Sequence, residues 1–387
     1  MEKLEIYIHI PFCLSKCGYC DFLSFAASET EKTDYIKALI EEIRGFPAKD
    51  QYEVSTVFIG GGTPSVLSTD RLEKILYELK DSFKISESAE VSIECNPKTA
   101  DHRKFTALKK TGVNRLSIGV QSFDDEMLKK LGRVHTKQDA VDTVGLAKAA
   151  GFENINADLM FSLPGQSLEN WRESLQYAAD LELTHISAYS LMIEEGTPFF
   201  EQYNASYEKK ISAKAQTLLP SEEEEVQMYE YAVSFLKKHG YERYEISNFA
   251  KAGFACKHND GYWTRVPYVG FGLGAASLVN ETRFENTRDM RKYMGSAGDI
   301  WKVNLNGGRK PLSREEAMSE TLFLGLRRCA GVSVSGFKEK FGVDIFEKYG
   351  KIIEKHVRNG YLKVENDAVF LTPSGILISN ICLADFV

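Results

Sequence analysis

Cys13, Cys17 and Cys20 fall within eight residues of "PFCLSKCGYCDF", directly after an alternating apolar run, "LEIYIHI" (residues 4–10). Three thiolates this close can face one centre if the chain loops around it, and Pro11 and Gly18 disfavour regular structure there. Thiolate ligands select zinc, copper(I) or an iron–sulfur cluster. Structural zinc normally shows a second close pair of Cys or His. None accompanies these three, and Cys95 is the best distant fourth ligand. A [4Fe-4S] cluster usually takes four thiolates, so a three-thiolate loop implies one iron left open to a ligand that is not protein.

The elements that must position this loop follow a strand-then-helix rhythm. Strands are predicted near residues 4, 55, 89, 115, 155 and 185, separated by amphipathic stretches such as "DYIKALIEEIRGF" and "DRLEKILYELKDSF", the latter capped by Ser68 or Thr69. Such alternation predicts an α/β fold with a parallel sheet of six β/α units. In such sheets chemistry gathers where the strands end. "PFC" follows the first strand, "GGGTP" the second, Glu94 ends the third, Gln121 follows the fourth and Asp158 lies near the end of the fifth. "GGGT" offers backbone groups unobstructed by side chains, which suits close approach of a small polar ligand, although alone it reads as a tight turn.

Beyond residue 195 the rhythm loosens into a polar stretch, "EQYNASYEKKISAKAQ", then a helix "EEEEVQMYEYAVSFLKKHG" and a strand "YERYEIS". "CKHNDGYW" (256–263) and a glycine-rich turn "GFGLGAAS" (270–277) come next, and "NLNGGRKPLS" (304–313) reads as a linker. The last 75 residues predict helices, a short hairpin in "GYLKVENDAVFLT" and a final helix, a winged-helix-like order. Winged helices often bind DNA, but residues 313–387 carry ten Lys/Arg and ten Asp/Glu, which favours packing or lid duty.

The chain's 387 residues, 43% hydrophobic and 27% charged, suit a globular protein of two or three domains. No 18-residue apolar run and no secretory leader is present, so the cytoplasm is expected. A net charge of −7 argues against a nucleic-acid partner, and the seven cysteines, four of them scattered singly, suit reduced thiols with one metal site.

The cysteine spacing, with an aromatic at Tyr19, resembles the radical S-adenosylmethionine superfamily, in which the amino acid moiety of S-adenosylmethionine chelates the open iron. "YIHIPFC", "GGGTPS", "SIECNP", "GVQSF", "LGRVH" and "DLMFSLPGQ" resemble its HemN/HemW branch almost end to end. The resemblance implies a partial (β/α)6 TIM-like barrel over residues 1–235. A linking region with an H-N-x-x-Y-W motif follows over 236–305, and a HemN-type winged-helix-like α+β domain over 306–387. It implies a [4Fe-4S] cluster on Cys13, Cys17 and Cys20, and S-adenosylmethionine contacts at Tyr7, Tyr19, Gly61, Gly62, Thr63, Glu94, Gln121, Arg133, Asp158 and, more loosely, Ala276. Arg133 would hold a carboxylate in bidentate fashion.

Two positions divide the branch. Members that decarboxylate coproporphyrinogen III carry a fourth cysteine two residues after the third, where this chain has Phe22; the HemW members, described as heme chaperones, carry an aromatic. His258, Asn259, Tyr262 and Trp263 match the HemW H-N-x-x-Y-W motif. A neutral imidazole is a common axial heme ligand and an aromatic pair can stack on a porphyrin. Taken alone, this motif reads as a turn that buries Tyr and Trp. Cys256 and His9 are rival heme ligands, and no C-x-x-C-H attachment occurs. The implied partners are heme and acceptor hemoproteins, including membrane-associated ones, and a homodimer is allowed. The competing readings are a coproporphyrinogen III dehydrogenase, a nucleic-acid-modifying radical enzyme and a structural-zinc interaction protein.

Overall fold

The computed structural model describes residues 1–47, 49–212, 218–296, 301 and 306–387. Its first six strands are β1 (Glu2–Ile10), β2 (Tyr52–Gly61), β3 (Ile85–Cys95), β4 (Arg115–Gln121), β5 (Asn154–Phe161) and β6 (His185–Ser190). They pair in chain order, all parallel. Each alternates in the same sense. Leu4, Ile6, Ile8 and Ile10 of β1, Ile93 of β3 and Leu116, Ile118 and Val120 of β4 pack into one apolar core. The crossover helices α1 (Glu29–Gly45), α2 (Thr69–Ser82), α3 (His102–Lys110), α4 (Asp125–Lys130), α5 (Lys137–Ala149) and α6 (Leu168–Asp180) contribute buried residues to that core or lie beside it. Because side chains in a strand alternate between faces, the intervening residues share the other face. There stand Tyr7 and His9, Phe58, Glu94, Arg115 and Ser117, Asn156 and Asp158, and Ser187, all lining one cavity.

Side-chain caps fix where these helices begin. Ser28 with Glu31, Thr136 with Asp139 and Ser167 with Asn170 form reciprocal capping boxes at α1, α5 and α6. Ser68 occupies the cap position of α2 without a side-chain cap hydrogen bond.

Past β6 the structure departs from the sequence reading. The polar stretch after residue 200 is largely helical, within α7 (Pro198–Ser212); residues 213–216 of it lie outside the described residues. α8 (Glu222–Lys238) follows as expected. Residues 236–305, expected to link two domains, build onto both sides of the sheet. β7 (Glu242–Arg243) and β8 (Asn248–Ala250) add an antiparallel pair beside β6. After α9 (Lys257–Thr264), β9 (Tyr268–Phe271) lies parallel to β1 as a seventh parallel strand. β10 (Ala276–Val279) and β11 (Thr282–Glu285) continue antiparallel, α10 (Met290–Gly295) intervenes, and β12 (Asn306–Pro311) closes the series. The expected linker at 304–313 is thus mostly the edge strand β12; residues 304 and 305 lie outside the described residues. The twelve strands run β12-β11-β10-β9-β1-β2-β3-β4-β5-β6-β8-β7, open at both ends, which makes the barrel partial.

The C-terminal domain has the winged-helix order: α11 (Arg314–Gly325), β13 (Val332–Ser333), α12 (Val334–Phe341), α13 (Ile345–Arg358), β14 (Leu362–Glu365), β15 (Ala368–Leu371), α14 (Pro373–Leu377) and α15 (Ser379–Ala384). Its antiparallel sheet runs β13-β15-β14 over a core of its own, and the β14–β15 turn puts Asn366 and Asp367 at φ 50 and 64. It docks on α9 and the adjoining strands. Arg328 donates to Asp260 at 2.6 and 3.1 Å, Arg265 reaches Glu320 at 3.0 Å, and the Cys329 N–H donates to the Tyr244 carbonyl at 2.9 Å. No helix among the described residues is long and apolar enough to cross a membrane.

One glycine tests this packing. Gly331 sits at φ +68, and a Cβ there would stand 2.1 Å from the Val369 carbonyl; Gly253, at φ +84, has open space. Gly331→Ala is expected to cost more than ~2 kcal/mol, from both left-handed backbone and clash, and Gly253→Ala about 1 kcal/mol, from backbone alone. Thermal unfolding of the two variants checks the difference; equal losses would contradict it.

Candidate functional site

The loop from Pro11 to Ser24 leaves β1 at its C-terminal end and crosses the open top of the barrel. Cys13 N–H donates to the Phe25 carbonyl at 3.0 Å and Phe25 N–H to the Pro11 carbonyl at 2.9 Å, which pins the base of the loop. All three cysteine side chains border one cavity of about 530 Å³. Among the described residues no three Cys, His, Asp or Glu side chains, these cysteines included, close into a group able to hold a single metal ion. Cys95, the distant zinc candidate, is buried at the end of β3 with its thiol pushed up to about 12 by burial.

A chain of polar contacts ties the loop to the strand ends. Cys13 Sγ lies 3.6 Å from Thr63 Oγ1, Asn96 Nδ2 donates to the same Oγ1 at 2.8 Å, and Arg133 Nη2 donates to Asn96 Oδ1 at 2.7 Å. Arg133 also reaches the Gly119 carbonyl at 2.7 Å and Cys17 Sγ at 3.5 Å, so two cysteines are connected through Thr63, Asn96 and Arg133. The Arg133 Nε is buried without a hydrogen-bond partner. That donor faces no protein acceptor, which fits an anion bound nearby. Gly62 allows the loop its approach: a Cβ there would fall 2.7 Å from the Phe12 carbonyl and 3.0 Å from Cys13 Sγ.

Of the residues predicted to contact S-adenosylmethionine, Tyr19, Gly61, Gly62, Thr63, Glu94, Gln121, Arg133 and Asp158 all line this cavity. Gln121 ends β4 at φ 66, where the β4–β5 register slips, and accepts from the Tyr189 hydroxyl at 2.9 Å. Tyr7, Ala276 and His258 line a second, larger cavity of about 800 Å³ instead. It occupies the barrel interior beneath β9–β11 and carries Phe58, Tyr262, Trp263 and Tyr268 on its walls. The two cavities share a wall of Lys16, Asp21, Phe22, Glu94, Ser117 and Asp158. Phe22, at 71% exposure, projects at that border.

Glu94 and Asp158 oppose each other electrostatically on this wall. Asp158 accepts from Asn156 Nδ2 at 2.8 Å and Ser117 Oγ at 3.3 Å, whereas Glu94 accepts from the Gly61 N–H at 2.9 Å. Burial raises both carboxyls, and Glu94, next to the Asp158 charge, is pushed up to about 8. Asp158 has two side-chain donors to offset its burial, whereas Glu94 has one backbone donor.

His258 is nearly fully buried on α9. Its Nδ1 lies 2.7 Å from Thr56 Oγ1, its Nε2 lies 3.0 Å from the Tyr262 hydroxyl, and its ring stacks on Phe58. Burial lowers its pKa to about 3, so the ring is neutral. His9 is engaged similarly, by Tyr7 and the Leu23 carbonyl, each at 2.9 Å. Cys256 is fully buried and borders a different pocket, against Glu90 and Tyr244. Trp263 has its ring under the Arg327 guanidinium at 4.5 Å. Sequence reasoning missed Asn96, Ser117 and Asn156 as site residues; Asn96 alone had a signal, its place just after β3.

Glu94 yields a pH dependence. Its folded pKa lies above the ordinary 4.5, so its contribution to stability is fully present below that value and is lost as pH rises toward about 8. Glu94→Gln should gain stability relative to the parent between pH 5 and 8.5, by up to ~2 kcal/mol once cavity water is allowed for. Parallel melting curves across that range check it; a constant difference would contradict it.

Comparison with known proteins agrees with this geometry. The Radical SAM superfamily matches residues 7–178 and the HemN C-terminal domain residues 312–378. The heme chaperone HemW of Bacillus subtilis is 39% identical, covering 97% of this chain and 96% of its own, and that of Lactococcus lactis is 35% identical, covering 97% and 94%. The heme chaperone HemW of Escherichia coli is 39% identical over 76% of each. In fold, the chain resembles the E. coli coproporphyrinogen III oxidase HemN, a radical SAM enzyme, with a TM-score of 0.82 at 22% identity over 100% of this chain and 90% of that one. Superfamily membership implies a [4Fe-4S] cluster and S-adenosylmethionine as cofactors, and identity over nearly the full length places the chain in the HemW family of radical SAM proteins.

Proposed function

We propose that this protein is a heme chaperone: it binds heme beside a cluster and S-adenosylmethionine and passes the heme to acceptor hemoproteins, some of them membrane-associated. The observation that carries the proposal is the pair of adjoining cavities. One is lined by thiols and strand-end polar groups, the other by aromatic side chains in a volume of about 800 Å³.

The residues present fit the cofactors. Cys13, Cys17 and Cys20 would hold three irons of a [4Fe-4S] cluster, and the unpartnered Arg133 Nε, with Glu94, Asp158 and the Gly61–Thr63 backbone, would receive the polar groups of S-adenosylmethionine. Bound there, the pair supplies one-electron reductive chemistry. Arg133 and Asn96 orient the loop, Tyr19 and Tyr189 wall the pocket, and Glu94 holds a proton at its carboxyl. Heme would occupy the larger cavity. His258 would ligate through Nε2 once the Tyr262 hydroxyl gives way, with Thr56 fixing the ring through Nδ1.

Phe22 in place of a fourth cysteine, with the HNDGYW helix bordering the cavity, favours this reading over porphyrinogen oxidation. Anaerobic reconstitution of Cys13→Ser, Cys17→Ser and Cys20→Ser should abolish uptake of iron and acid-labile sulfide, while Cys95→Ser retains it; zinc in place of iron would overturn the cluster assignment. Heme titration followed by absorbance should show the parent binding and His258→Ala binding at least ~10-fold more weakly with an altered Soret band. Identical titrations would remove His258 as ligand. Robust conversion of coproporphyrinogen III to protoporphyrinogen by the reconstituted parent would overturn the chaperone reading.

A further inference from the structure

Arg115 opens β4, the strand whose apolar residues Leu116, Ile118 and Val120 pack outward. Its side chain therefore enters the barrel, where it lines the larger cavity at only 2% exposure. A guanidinium carries five N–H donors in a rigid fork. On Arg115 the Nε is wholly buried and meets no hydrogen-bond partner. Leaving such a donor unmet in the interior is costly unless an acceptor arrives.

The nearby acids do not serve it, because they are turned to other donors. Asp158 accepts from Asn156 and Ser117. Glu90 accepts from the N–H groups of Lys257 and His258 at 3.1 and 3.3 Å and from Cys256 Sγ at 3.5 Å, at the start of α9. Other cations around the same cavity are occupied. Arg265 pairs with Glu281 and Glu320, Arg283 with Glu320, Arg288 with Glu285, and Lys16 donates to the Phe22 carbonyl. Arg115 is thus the free cation of this cavity among the described residues, at the N-terminal end of a strand whose far end, Gln121, borders the thiol-lined cavity.

We propose that Arg115 anchors a carboxylate of the ligand that fills the larger cavity. Resting on the function proposed above, that carboxylate is a propionate of the tetrapyrrole, held in bidentate fashion by the guanidinium. The acceptor comes with the ligand, and the protein keeps its own carboxylates turned away so that the fork stays open. Asp158 and Glu90 supply enough negative field to keep the guanidinium charged without closing on it.

The test titrates the full-length, cluster-reconstituted protein with two probes, heme and heme dimethyl ester, in which both propionates are blocked. The parent should bind heme about 10- to 100-fold tighter than the diester. Arg115→Leu should lower heme affinity to the diester level while leaving diester affinity unchanged, and Arg115→Lys, which keeps a charge but not the fork, should fall between. If the parent binds acid and ester alike, or if Arg115→Leu binds heme as the parent does, the anchor is overturned and the heme reading stands. If the parent binds neither probe, the heme reading falls and the anchor with it. If Arg115→Leu fails to fold, Arg115→Lys carries the assignment to this residue, and a parent that binds acid and ester alike overturns the anchor without any variant.

Discussion

Everything in this molecule depends on the two-residue alternation of its parallel strands. Strand residues that leave the barrel outward are apolar, mostly Leu, Ile, Val and Ala, and they weld the sheet to its helices. Those that point inward include Glu94, Arg115, Ser117, Asn156, Asp158 and Ser187. A closed eight-stranded barrel fills its interior with layers of branched apolar side chains. Here the sheet is open at both edges and the interior is polar and hollow, so the fold's stability resides on the outer face and its inner face is released for binding. A one-residue slip in any of these strands would exchange the two roles.

The loop of cysteines exploits that arrangement at one rim. Its three thiols come from one segment, but their setting comes from three strand ends: Thr63 after β2, Asn96 after β3 and Arg133 beyond β4. These contacts span up to 116 residues of sequence, so the site depends on the register of the whole sheet.

The sequence made much of this legible, for physical reasons. Six strands and their helices announce themselves because apolar periodicity is set by burial against a continuous core, as in β1 and β4. The cysteine spacing is local and survives any reading. What escaped notice was non-local. β8 is three residues long, too short to show a period, β7 keeps only two residues of the strand read at "YERYEIS", and β12 is a glycine-containing edge strand that composition marks as a loop. The separation of the predicted contacts into two chambers was equally invisible, since Tyr7 and Thr63 both sit near strand ends and only the tilt of the sheet decides which chamber each faces. Arg115 carried no signal of its own in the sequence, because its isolation depends on where Asn156, Ser117 and the start of α9 direct the neighbouring acids.

The docking of α9 has a consequence for traffic. On its inner side Glu90 holds the first N–H groups of the helix, and on its outer side Arg328 grips Asp260. A helix bolted on both faces makes a poor door. Phe22 projects at a different place, the border that the two chambers have in common. Lys16, Asp21 and Phe22 of the cysteine loop stand in the walls of both chambers, so a rearrangement of that one loop reshapes the two together.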